Sequence, residues 1–102
     1  MQKKARLQKK VDELTQVSCT TGRGLIREEV WVDSRNAVAK YNLAFINHQL
    51  YSGDNGRVLG YDNNHGQHHR HFMGKQKGIA VKSYEELLRK FLDEVREIRK
   101  WS

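Results

Sequence analysis

Four of the five histidines in this 102-residue chain fall in one seven-residue stretch, His65-Gly66-Gln67-His68-His69-Arg70-His71. Imidazole changes charge near neutral pH, so such a cluster can both take and give protons under physiological conditions. In an extended segment side chains alternate between faces, which puts His69 and His71 on one side and His68 with Arg70 on the other. A histidine pair at period two beside a guanidinium suits phosphate chemistry. One imidazole of the His69/His71 pair would remove the proton of an RNA 2′-hydroxyl and the other would protonate the departing 5′-oxygen. Arg70 would stabilise charge on the phosphorane. His65 or His68 would assist, and Asp62, just upstream, would orient a neighbouring imidazole.

Two other readings stand beside this one. His65, His69 and His71, with Asp62, form a donor set that suits zinc, nickel or copper, and would make the chain a metal-binding domain or a metal-dependent nuclease. Alternatively the histidines are solvated or hydrogen-bonded loop residues in a non-enzymatic module that binds nucleic acid or a protein. No P-loop, nucleophile elbow or paired-carboxylate motif is present, and no cofactor is expected.

Charge bears on the choice. Nineteen Lys and Arg against twelve Asp and Glu leave a formal charge of +7, an excess that favours polyanionic partners such as RNA. Arg23, Arg57, Lys75 and Lys77, with the basic N-terminal residues, are the candidate phosphate contacts. Trp31 and Trp101 read as core anchors rather than base-stacking platforms. The single cysteine, Cys19, excludes an intramolecular disulfide and a Cys-rich zinc site. The start of the chain is too charged for a secretory leader, and no stretch approaches the roughly 18 apolar residues of a membrane span. The cytoplasm is the expected compartment, with no membrane association; homo-oligomerisation is left open.

These residues need a scaffold, and the periodicities suggest a single α+β domain over 1–102. Leu7, Val11 and Leu14 share one face of a helix, so 1–18 is expected to be a basic N-terminal helix. Residues 24–82 are expected to form a small antiparallel meander of three to four strands. Leu25–Val32 and Val38–Asn47 would pair as a hairpin, Arg57–Asp62 would follow, and Ile79–Val81 would come last, with a His-rich loop over 63–77. The closing helix, 83–101, is the best-defined element. Ser83 and Glu86 form a capping box, and Tyr84, Leu87, Leu88, Phe91, Leu92, Val95 and Ile98 recur at helical spacing.

Gly60-Tyr61-Asp62-Asn63, His65-Gly66, His68-His69-Arg70-His71 and Gly74 together resemble the TumE family of toxin–antitoxin proteins. The helix carries the family's further pattern as Ser83 to Leu87 and as Phe91-Leu92-Asp93-Glu94-Val95. The resemblance runs from about Glu28 to the end; the first two dozen residues carry no matching motif. It implies a growth-inhibiting toxin encoded beside a cognate antitoxin, often a helix-turn-helix protein, that neutralises it by direct binding.

Overall fold

A computed structural model describes residues 6–101, without the Trp101 side chain. Residues 1–5 of the expected N-terminal helix, and the expected anchoring role of the Trp101 side chain, lie outside that description. The described residues form six strands and one α-helix: β1 (Gln8–Ser18), β2 (Arg23–Val32), β3 (Val38–Ile46), β4 (Arg57–Asp62), β5 (His69–Phe72), β6 (Lys75–Gly78) and α1 (Tyr84–Trp101). The strands make one antiparallel sheet whose spatial order is the chain order. This corrects the expectation of three to four strands and an N-terminal helix.

The N-terminal correction has a physical cause. Val11, Thr15 and Val17 are β-branched and fit a pleated surface, and β1 pairs with β2 along its length, from Gln8 opposite Val32 to Ser18 opposite Arg23. The helical stripe has nothing to cover, since Leu7 and Leu14 remain 43% and 56% exposed. Backbone pairing outweighs an amphipathic pattern that buries no apolar surface.

The expected His-rich loop contains a hairpin instead. His69–Phe72 pairs with both β4 and Lys75–Gly78. Met73 (φ 47°) and Gly74 (φ 82°) form a tight two-residue turn in which both φ angles are positive. Ile79–Val81 is not a strand. Its apolar residues pack against the core as an irregular link to the helix.

That core lies on one face of the sheet. Tyr41, Leu43 and Phe45 of β3 and Leu59 and Tyr61 of β4 meet Leu87, Phe91, Val95 and Ile98 of α1. The helix starts where the capping pattern predicts, with the Glu86 N–H donating to Ser83 Oγ at 3.2 Å. With one helix on one face, the opposite face is left uncovered and carries polar side chains. No helix among the described residues is long and apolar enough to cross a membrane.

Candidate active site on the uncovered sheet face

Register determines which polar side chains share that face. Glu29 of β2 stands opposite Asn42 of β3, Asn42 opposite Asp62 of β4, and Asp62 opposite His69 of β5. One row along, Arg27, Ala44, Gly60 and His71 are neighbours in the same way. The two small residues make a low floor between the arginine and the imidazole. A bulge then brings Arg57 to this face, because Phe45 pairs with Leu59 but Ile46 pairs with Arg57, leaving Val58 as the extra residue. The Arg57 side chain crosses over Gly60, where an added Cβ would stand 2.6 Å from Arg57 Cδ. A larger residue at this position would have to displace the Arg57 stem.

Arg57 and His71 converge on one carboxylate oxygen. His71 Nε2 is 2.9 Å from Asp62 Oδ2, and Arg57 Nη1 is 3.5 Å from the same atom. Asp62 is only 3% exposed. The imidazole nitrogen is buried but lies off the line of a directed hydrogen bond, so its contact with Asp62 is one of proximity. Asp62 Oδ1 accepts the Asn64 N–H at 3.2 Å, which ties the carboxylate to the following turn. Arg57 is held from its other side by Asp54, with Nη2 2.7 Å and Nε 2.8 Å from Oδ2. His69 stands beside His71, with ring centroids 6.3 Å apart and planes at 62°. Both rings are half-buried, and His69 makes no hydrogen bond or ion pair among the described residues.

Farther along the same face, Glu29 gathers Arg27, Lys9 and Asn42, at 3.0, 2.7 and 3.0 Å. The Arg27 guanidinium is the main cause that lowers the Glu29 carboxyl to about 2.

The remaining sequence candidates are placed elsewhere. Arg70 points to the helix side, bonded to Glu94, and its Nε donates to the Tyr61 hydroxyl at 3.1 Å. Tyr61, fully buried, also donates to Glu94. His68 is on the helix side too, its Nδ1 2.7 Å from the Tyr41 hydroxyl in a bond whose donor depends on the imidazole tautomer. His65 sits exposed in a short 3-10 turn, Asn64–Gly66, at φ 63°. Lys75 and Lys77 stand opposite Phe72 and Arg70, and Arg23 begins β2. Arg57 is thus the one candidate phosphate contact that joins the His69/His71 pair. Among the described residues no three His, Cys, Asp or Glu side chains gather as a metal site, so His65 does not complete a set with His69 and His71.

The sequence reading missed Arg27, Glu29 and Asn42 on this face, and Glu94 as the partner of Arg70. Arg27 and Glu29 already show the period-two spacing of a strand's outer face. A concavity also lies on the helix side. It is a groove of about 720 Å³ between α1 and the 79–83 link, bordered by Arg70 and Glu94 and separated from the histidine pair by the sheet.

No curated protein and no solved structure matches the chain. The family model described as Toxin TumE matches residues 6–99, reaching well upstream of the motifs recognised in the sequence. The match covers nearly all of the chain, which therefore belongs to the TumE family, a toxin of a toxin–antitoxin system with a cognate antitoxin as its partner.

Proposed function

We propose that this toxin cleaves RNA by metal-independent acid–base chemistry on the uncovered face of the sheet, in the cytoplasm, and that its antitoxin is a helix-turn-helix protein. The observation that carries the reading is the convergence of His71 and Arg57 on Asp62 with His69 alongside. With Nε2 turned to Asp62, Nδ1 is the His71 nitrogen left for proton transfer. His71 takes the 2′-hydroxyl proton, and Asp62 balances the imidazolium that results. The 2′-oxygen attacks phosphorus, the bond from phosphorus to the 5′-oxygen breaks, and His69 gives that oxygen its proton. Arg57 takes the charge-stabilising role that the sequence suggested for Arg70, because its guanidinium shares the face of the histidine pair and stands beside Asp62, whereas Arg27 on that face is paired with Glu29.

The products are a 2′,3′-cyclic phosphate and a 5′-hydroxyl. The test is the cleavage rate of a single-stranded RNA in EDTA across pH 5 to 8. The reading expects a bell-shaped profile, since one imidazole must be neutral and the other protonated. A flat profile, or activity abolished by chelation, overturns it.

A further inference from the structure

Among the described side chains, Trp31 is a large aromatic residue that the helix-side core does not use: it is half-buried and belongs to the uncovered face. Its register partners are Lys9 on β1 and Lys40 on β3, and their ammonium groups lie 5.0 and 4.7 Å from the indole centroid. Lys9 is also held by Asp12 and Glu29, at 3.1 and 2.7 Å. Lys40 makes no ion pair among the described residues and is exposed.

We propose that Trp31, with Lys40, is a second subsite for single-stranded RNA, in which the indole stacks on an unpaired base and the lysine meets the adjoining phosphate. This deepens the RNA reading above and rests on it. Lys40 is followed on this face by Asn42, which is opposite Asp62. Trp31 therefore lies one side-chain row and two strands away from Asp62, about 12 Å by the usual strand spacings. His69 and His71 lie one strand farther, so an extended strand of RNA, with about 6 Å between phosphates, would place a base on Trp31 about three nucleotides from the bond they cleave. A base paired within a duplex offers no free face to the indole, so the subsite selects single strands. Lys40, which no carboxylate holds among the described residues, can swing from the ring to phosphate as the base arrives, exchanging one electrostatic partner for another.

The experiment uses the full-length His69→Ala/His71→Ala protein, which binds without cleaving, in a Trp101→Phe background so that Trp31 is the reporter. Titration with a short single-stranded RNA is expected to quench indole fluorescence saturably, while a duplex of the same sequence does not. Trp31→Phe, read by anisotropy of labelled RNA, should weaken binding about tenfold. Lys40→Ala, at an exposed position that does not threaten folding, should weaken it less and lower the salt dependence of log Kd by about one phosphate contact. RNA that binds equally well after both substitutions overturns the subsite and leaves the cleavage reading intact. Absence of RNA binding by the folded protein overturns both. Loss of antitoxin binding on Trp31→Phe, with RNA affinity unchanged, reassigns this surface to a protein partner and overturns the subsite.

Discussion

His71 on β5 and Asp62 on β4 meet 2.9 Å apart, Nε2 to Oδ2, on the face of the sheet that the helix does not cover. The relationship follows from register: Asp62 is opposite His69 and Gly60 opposite His71, so the His71 side chain leans diagonally towards the carboxylate over a residue that has no side chain of its own. A diagonal contact of this kind can orient an imidazole without burying it entirely.

Replacing Asp62 by Asn keeps the shape and removes the charge that balances a protonated His71. We expect RNA cleavage to fall about 10- to 100-fold, within the range of acid–base effects. Fold and thermal midpoint should change little, because Arg57 keeps Asp54. Single-turnover rates beside a melting curve check this, and an unchanged rate would remove Asp62 from the mechanism.

Arg70 and Glu94 should behave in the opposite way. Removing Glu94 leaves the buried Tyr61 hydroxyl and a largely enclosed guanidinium short of partners, at a cost of about 1–3 kcal/mol. Glu94→Ala and Arg70→Ala should therefore lower the urea midpoint while leaving the rate per folded molecule at the wild-type value. A large loss of kcat in a stably folded Arg70→Ala protein would bring that residue back to the chemistry.

Gly60 and Arg57 offer a coupled test. An alanine at position 60 presses on the Arg57 stem and also stands 3.1 Å from the Leu43 carbonyl. Gly60→Ala is expected to destabilise the wild type by about 1–3 kcal/mol and the Arg57→Ala protein by less. Equal costs in the two backgrounds, measured by denaturant unfolding, would show that the arginine does not lie over the glycine.

Stability should also respond to pH through residues away from the catalytic pair. Burial raises the Tyr41, Tyr61 and Tyr84 phenols, Tyr41 to about 12, with Asp62 adding to that shift and the Glu94 and Glu28 hydrogen bonds adding to the other two. A phenol raised above its unfolded value near 10 contributes stability that is complete below that pH and lost as pH rises through the folded value. Phenolate absorbance and loss of tertiary signal should thus appear together above pH 10. Glu29, held near 2, gives the reverse sign: its contribution is present above about 4.5 and lost as pH falls towards 2. Screening by solvent keeps that contribution below about 1 kcal/mol. Titration of these three tyrosines at pH 10 with the fold intact, read in a Tyr51→Phe background, would contradict the buried placement.

How far the sequence could be read varied by element. The capping pattern at Ser83 and the spacing of Leu87, Phe91, Val95 and Ile98 identify α1, because a long amphipathic repeat with a cap has few alternatives. Alternation alone separates His69 and His71 from Arg70, and the strand keeps that separation. Two features were not legible. Leu7, Val11 and Leu14 fit a helical period, but only long-range pairing with β2 shows that this segment is a strand. The β5–β6 turn uses Met73-Gly74 in place of the Asn-Gly or Asp-Gly that advertises a tight hairpin, so the two short strands look like loop. The arrival of Arg57 beside Asp62 depends on the bulge at Val58, and residue type alone does not announce it.

The most direct test of the central claim is single-turnover cleavage of a single-stranded RNA by antitoxin-free protein in EDTA, comparing wild type with His69→Ala and His71→Ala at matched thermal stability. The account predicts 2′,3′-cyclic phosphate ends from the wild type and a rate loss of at least about 100-fold in each variant. Wild-type rates in the His69→Ala/His71→Ala protein, or no cleavage by the folded wild type, would contradict it.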